Sequence, residues 1–141
     1  MNSVGIIGFG RFGKILSNIL QKGFKIKAYD LNSIKNFPGV EFVDQDTVLK
    51  EKIIFIAVPI SVFESVINDI APKLGGGNTI VDVCSVKNHP VKVMEKRLGD
   101  NIGIISTHPM FGPDSFISNN RLKIMMHNTR NIYGQYKFWR R

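Results

Sequence analysis

Short apolar runs alternate along the chain with longer stretches in which apolar residues recur at helical spacing. The runs predict strands at 3–8, 25–29, 40–43, 53–58, 79–83, 102–106 and 121–127. The periodic stretches predict helices at about 12–22, 46–51, 61–73, 88–98 and 132–140. This alternation is typical of a mostly parallel sheet with helices on both faces. Because Ile53 to Val58 is apolar throughout, we expect it to be a central strand buried on both faces.

A glycine-rich turn joins the first predicted strand to the first predicted helix. Its three glycines have the spacing of a dinucleotide-binding turn, in which they permit the turn, admit the pyrophosphate and let the helix pack closely. The motif alone is weak evidence, but here it lies between a strand and a helix. We therefore predict a Rossmann-like doubly wound α/β fold, with residues 1–141 forming one dinucleotide-binding domain. The residues predicted to bind the cofactor here are Gly8, Phe9, Gly10, Arg11, Phe12 and Gly13.

Three further residues follow predicted strands at the edge where such sheets bind ligands. Asp30 ends the second strand, and its carboxylate is placed to accept hydrogen bonds from the adenine-side ribose. Its charge would repel a 2′-phosphate, which favours NAD over NADP, although Ser33 and Lys35 nearby weaken that inference. Val58 and Pro59 come at the end of the fourth strand. Pro59 could simply terminate that strand, since it has no N–H, or it could form, with Val58, an apolar wall for the cofactor, which is the role we predict.

His108 is the best candidate for acid–base chemistry, because an imidazole can take or give a proton near neutral pH. It follows a predicted strand, and Ser85 follows the preceding one, where its hydroxyl could orient an imidazole or bind a substrate. Lys87 could meet an anionic group or could simply cover the start of the next helix. His89 and His127 lack such support, and we predict structural roles for both.

Composition narrows the class of protein. The chain is 43% hydrophobic and 21% charged, as in soluble globular proteins, and its apolar runs are too short to span a bilayer. The first strand begins too near Met1 for a signal peptide, and the lone Cys84 excludes an internal disulfide, so a cytoplasmic location is expected. The histidines and Cys84 lack metal-ligand spacing, so no metal is predicted.

The formal net charge of +8 is uneven, since residues 121–141 hold six basic residues and no acidic one. This segment could be an anion-binding face, or it could have lost an acidic segment or partner domain that balances it. No nucleic-acid-binding motif accompanies the charge, so neither nucleic acid nor a membrane is an expected partner. Exposed aromatic residues near Phe138 and Trp139 could drive self-association.

Three elements together resemble the nicotinamide-binding domain of the prephenate and arogenate dehydrogenases. They are the glycine turn with Asp30, the segment Asp82 to Lys87 containing S-V-K, and the segment Thr107 to Ser115 containing H-P-M-F-G-P. Their order and spacing agree with the family over nearly the whole chain. The resemblance implies NAD(P)-dependent oxidative decarboxylation of prephenate or arogenate in tyrosine biosynthesis.

In that family the histidine of H-P-M-F-G-P takes the proton of the ring hydroxyl, a role that falls on His108. The serine of S-V-K hydrogen-bonds this histidine and the substrate, a role that falls on Ser85, and Lys87 joins them as a substrate-binding residue. The family's helical dimerisation domain is expected to be absent from these 141 residues. A non-catalytic NAD-binding module, or remnant, therefore remains an alternative to an active dehydrogenase.

Overall fold

A seven-stranded sheet forms the centre of the structure, a computed structural model that describes residues 2–32, 36–110 and 123–139. Its strands are β1 (Ser3–Ile7), β2 (Lys25–Tyr29), β3 (Val40–Phe42), β4 (Ile53–Ile56), β5 (Thr79–Asp82), β6 (Gly103–Pro109) and β7 (Ile124–Arg130). The helices in the described ranges are α1 (Arg11–Leu20), α2 (Gln45–Val48), α3 (Ile60–Ile70), α4 (Asn88–Arg97) and α5 (Gln135–Trp139). A single 3-10 turn, Ala71–Lys73, continues α3.

The strand order is β3-β2-β1-β4-β5-β6-β7, and only β7 runs antiparallel to its neighbour. This is the order of a Rossmann-like doubly wound sheet, which confirms the predicted fold class. Strands β1 and β4 lie side by side although they are not consecutive, so the connections that follow them leave in opposite directions. A ligand crevice is expected at their carboxyl ends for this reason.

The core lies on both faces of the sheet because the side chains of the central strands alternate between them. In β4, Ile54 and Ile56 belong to the cluster that packs under α3 and α4. Ile53 and Phe55 belong to the cluster under α1. All four are buried, which confirms the prediction of a central strand covered on both sides.

Two boundaries differ from the sequence prediction in a way that affects the site. Strand β6 continues to Pro109 instead of ending at residue 106, and β7 spans 124–130 instead of 121–127. Antiparallel pairing explains the extension, since His108 faces Met125 and Pro109 faces Ile124 in the register. His108 therefore lies within a strand, and not in a loop after it.

Helix α2 is a single turn at 45–48, shorter than the predicted 46–51. The carboxylate of Asp44 accepts a hydrogen bond from the backbone N–H of Thr47 at 2.8 Å and so fixes the start of the helix one residue early.

The side chain of Arg130 joins the end of β7 to the end of α4. Its guanidinium donates hydrogen bonds of 2.7 to 3.3 Å to the backbone carbonyls of Glu95, Leu98, Gly99 and Ile102. The last carbonyls of a helix have no partner within it, and a cation there also suits the helix dipole. Arg130 thus anchors the edge strand that pairs with His108.

We expect Arg130→Met to lower the free energy of unfolding by about 1–3 kcal/mol, because it removes charge-assisted hydrogen bonds to backbone carbonyls at and after the end of α4. Urea denaturation measures the change. The matched control is Lys92→Met, which removes a cation from the exposed surface of α4. An equal loss of stability in both variants would show that net charge, and not the anchoring of β7, is responsible.

Candidate active site

Two of the three motif glycines are required by the fold itself. Gly8 has φ of +96°, and a Cβ atom there would lie 2.5 Å from the carbonyl oxygen of Ala57. A Cβ atom on Gly13 would lie 2.5 Å from the carbonyl oxygen of Gly8. Both distances are much shorter than a van der Waals contact. Only glycine therefore fits at residues 8 and 13, where the chain passes the end of β4 and enters α1.

Gly10 is different, because nothing lies within 4 Å of the position that its Cβ would take. Its φ of −79° suits any L-residue, and it is the N-cap of the ten-residue helix α1. A side chain at residue 10 would therefore occupy open space in front of the helix N-terminus. That space is where an anionic ligand can approach the backbone N–H groups of a helix.

The carboxylate of Asp30 is attached to the glycine turn. Its Oδ2 accepts a hydrogen bond from the backbone N–H of Phe9 at 2.6 Å, and its Oδ1 accepts one from the N–H of Asn32 at 2.8 Å. The Phe9 ring is fully buried against Phe37 and Phe42. Only the backbone of Phe9 is thus near the crevice, and Asp30 holds that backbone in place.

A groove of about 410 Å³ brings four of the predicted cofactor-binding residues together: Gly8, Asp30, Val58 and Pro59. It also contains residues that the sequence analysis did not predict, including Tyr29, Leu31, Val62 and Val66. Leu31 is 88% exposed and Val62 is 42% exposed, which is unusual for large apolar side chains unless a ligand or partner covers them. Val62 and Val66 lie one helical turn apart, and this spacing in the sequence could have indicated that α3 contributes an apolar face to the groove.

The other two residues predicted for the turn lie at the start of α1. Arg11 is exposed, and Phe12 is half-buried and packs against the core on the α1 face of the sheet. Ser33 and Lys35, which weaken the predicted preference for NAD over NADP, lie outside the described residues. Another cavity, of about 590 Å³, lies at the opposite edge of the sheet near Ser3 and Trp139, away from this groove.

His108 and Ser85 lie at the carboxyl ends of neighbouring strands. His108 is half-buried in β6, and Ser85 is exposed in the loop between β5 and α4. The structure brings them to one edge of the sheet, but none of the hydrogen bonds among the described residues joins their side chains. Residues 111–115, the rest of the H-P-M-F-G-P-D-S segment, lie outside the described ranges.

The side chain of Lys87 connects the same two strand ends. Its ammonium forms an ion pair with the carboxylate of Asp82, which is fully buried at the end of β5, and donates a hydrogen bond to the carbonyl of Thr107. Burial raises the pKa of the Asp82 carboxyl, and the hydrogen bond and charge of Lys87 oppose that rise. Asp82 had no predicted role, although a carboxylate directly after the apolar residues Ile80 and Val81 indicates a buried charge that needs a partner.

Cys84 follows Asp82 in the loop and is buried. Burial, and then the charge of Asp82, raise the pKa of its thiol to about 11. The thiol therefore carries its proton at neutral pH and is a poor nucleophile.

The other two histidines lie outside this group. His89 is exposed at the start of α4, with Nε2 3.7 Å from a carboxylate oxygen of Glu64. His127 was predicted to be the last residue of its strand, but it lies within β7, which continues to Arg130. Its side chain is exposed, with Nδ1 3.0 Å from the hydroxyl of Thr129. Within the described ranges, no three histidine, cysteine or carboxylate side chains gather as metal ligands would. None of the helices in those ranges has the length and apolar character of a membrane span.

Comparison with known proteins gives consistent matches. The family model described as prephenate dehydrogenase, nucleotide-binding domain, matches residues 20–123, beginning after the glycine turn. A probable arogenate/prephenate dehydrogenase of Methanocaldococcus jannaschii is 37% identical over 119 residues, which cover 79% of this chain and 26% of that protein. Arogenate dehydrogenase 1, chloroplastic, of Arabidopsis thaliana is 33% identical over 120 residues, or 79% of this chain and 19% of that protein.

Among solved structures, prephenate dehydrogenase from A. aeolicus, in complex with hydroxyphenyl propionate and NAD+, superposes with a TM-score of 0.77. The identity is 19%, and the match covers 99% of this chain and 55% of that one. This likeness shows a shared fold. The chain spans about a quarter or less of the length of the two relatives compared by sequence.

Proposed function

Because the chain belongs to the family of prephenate dehydrogenase nucleotide-binding domains, we propose that it binds NAD and serves the oxidative decarboxylation of prephenate or arogenate. This reaction would place it in tyrosine biosynthesis. The observation that carries the proposal is one arrangement at the carboxyl edge of the sheet: the open space at Gly10, the Asp30 carboxylate and the apolar groove.

The residues present fit a nicotinamide dinucleotide. Gly10 leaves room for a pyrophosphate in front of the N-terminus of α1, where backbone N–H groups favour anions. Asp30 supplies carboxylate oxygens for the ribose hydroxyls, and its contacts with Phe9 and Asn32 fix its position in advance. Val58 and Pro59 supply the apolar wall of the groove.

When bound, NAD accepts the hydride that leaves C4 of the substrate ring. The proton of the 4-hydroxyl must leave at the same centre, and the neutral imidazole of His108 is the group proposed to accept it. The ring carboxylate leaves as carbon dioxide, which makes the ring aromatic. Ser85 is proposed to hydrogen-bond the imidazole and the substrate hydroxyl, and Lys87 is the remaining candidate for an anionic group of the substrate.

A non-catalytic NAD-binding module is the second candidate. One observation favours it: Ser85 is exposed and is not hydrogen-bonded to His108 among the described residues. A module of this kind needs the glycine turn, Asp30 and the groove, but it needs neither Ser85 nor His108.

One experiment separates the two. NAD binding is measured by calorimetry, and prephenate or arogenate is then supplied with NAD while the absorbance of the reduced cofactor is followed. Formation of reduced cofactor supports the dehydrogenase. NAD binding without any reduced cofactor selects the module, and failure to bind NAD would contradict both.

We expect the chain to bind NAD more tightly than NADP, and Asp30→Asn to narrow this preference by about tenfold or more, because it removes a negative charge facing the 2′-phosphate. Dissociation constants for both cofactors at one ionic strength measure the effect. Asp100→Asn is the matched control, since it makes the same change of charge at an exposed position outside the groove. A preference for NADP in the unmodified chain would disprove the role of Asp30.

A further inference from the structure

We propose that Asp82 and Lys87 are positioning residues, which act as one pair to hold the Ser85 loop and the His108 strand end in a fixed relation. The inference rests on the proposed function, because it concerns how the two candidate catalytic residues are oriented. It changes the interpretation of Lys87, whose ammonium is engaged inside the protein and does not have to meet the substrate.

Thr107, the residue directly before His108, forms hydrogen bonds to both members of this pair. Its backbone N–H donates to Oδ1 of Asp82 at 3.3 Å, and its hydroxyl donates to the backbone carbonyl of Asp82 at 2.6 Å. Its own carbonyl accepts from the ammonium of Lys87. Both ends of the residue that leads into His108 are therefore fixed by hydrogen bonds.

The same pair closes the loop that carries Ser85. Asp82 ends β5 and Lys87 immediately precedes α4, so the ion pair between their side chains joins the two ends of the segment 83–86. The backbone N–H of Cys84 also donates to Oδ2 of Asp82 at 3.2 Å. One carboxylate therefore connects the loop of Ser85 with the backbone beside His108.

The ion pair between Asp82 and Lys87 is mostly buried, unlike an ion pair on the protein surface. The side chain of Asp82 is 0% exposed and that of Lys87 is 28% exposed. Removing one partner of a buried ion pair leaves an uncompensated charge, which favours opening of the loop to water. Loss of Lys87 should therefore release the Ser85 loop locally.

Cys84 supplies a direct test, because it is the only cysteine of the chain and lies buried inside this loop. Its modification by a thiol reagent at neutral pH reports opening of the loop without cofactor or substrate. We expect Lys87→Met to speed modification about tenfold or more, the change expected from losing one charge-assisted hydrogen bond. Lys92→Met, an exposed lysine on α4, should leave the rate unchanged.

Global unfolding could also expose Cys84, and a second variant excludes this explanation. Arg130→Met lowers stability at a different place, so it should accelerate modification only as far as its overall unfolding equilibrium allows. Equal modification rates in Lys87→Met and Arg130→Met, at equal stability, would overturn the proposal.

The effect of the Asp82–Lys87 pair on His108 must be tested with a measurement that a change in overall stability does not alter. The chain has three histidines, and His108→Asn assigns the imidazole proton resonances of His108. We expect Lys87→Met and Asp82→Asn to shift or broaden these resonances and to leave those of His89 and His127, and the Kd for NAD, unchanged. Unchanged His108 resonances would contradict a positioning role.

Turnover, where it is obtained, separates positioning from direct binding. Positioning predicts that Lys87→Met lowers kcat with little effect on KM. A rise in KM with unchanged kcat and unchanged Cys84 modification would show that Lys87 binds the substrate directly and would overturn the inference. Because the thiol and resonance measurements require neither NAD nor substrate, they remain informative if the proposed function fails.

Discussion

Replacement of His108 by asparagine is expected to lower kcat by about 10²- to 10⁴-fold, the usual contribution of general acid–base catalysis. Asparagine keeps a polar side chain of similar size but cannot accept the hydroxyl proton. If the proposed reaction occurs, its rate with the unmodified chain should rise with pH, since only the neutral imidazole can act as the base, and this dependence should disappear in the variant. Steady-state rates across the pH range, with the chain alone or joined to a helical domain supplied separately, measure both effects.

Ser85→Ala is the matched comparison for His108→Asn. It removes a proposed orienting hydrogen bond but leaves the base in place, so its loss of kcat should be smaller. The Kd for NAD should change little in either variant, because both residues lie outside the groove at Gly8 and Asp30. If His108→Asn kept the same pH dependence, a group other than His108 would take the proton.

Gly10→Val should weaken NAD binding by about 10- to 100-fold, the effect expected when a side chain is forced into space that another group must fill. The fold should not suffer, because nothing lies within 4 Å of the new Cβ. Calorimetric Kd values and thermal unfolding, measured on the same sample, separate the two properties.

Two other glycines make this experiment specific. Gly23 is exposed, has equally open surroundings and lies outside the groove, so Gly23→Val should leave NAD binding unchanged. Gly13→Ala should instead destabilise the fold by about 1–3 kcal/mol, because its Cβ would collide with the carbonyl of Gly8. NAD binding by a folded Gly10→Val variant at the affinity of the parent chain would show that the cofactor does not pass over residue 10.

The sequence was sufficient to predict the sheet and the glycine turn because both depend on local patterns. A run such as Ile53 to Val58 has few alternatives to a buried central strand, and the structure confirms it for Ile53–Ile56, where the strand ends two residues early. The glycine positions depend on the short path from β1 into α1, and Gly8 and Gly13 have the close contacts that this path requires. That the cofactor binds there remains a prediction.

Features that depend on pairing between distant segments could not be predicted. The end of β6 is set by β7, which follows it in sequence but extends it past residue 106 by antiparallel pairing. The contact of Lys87 with Asp82 and Thr107 depends on how the ends of two strands meet in space. The residue types of Lys87 and Asp82 indicated that each needs a charged or polar partner. The sequence alone did not show that they pair with each other and with Thr107.

The unequal roles of the three motif glycines also bear on the history of the chain. In a lineage that no longer bound a nucleotide, selection for folding would preserve Gly8 and Gly13, whereas residue 10 would be freer to change, since a side chain there has room. Most random substitutions of a glycine codon introduce a side chain. A glycine at position 10 is what selection for a bound dinucleotide would maintain, so residue 10 is where relatives that have lost the nucleotide are expected to differ from this chain.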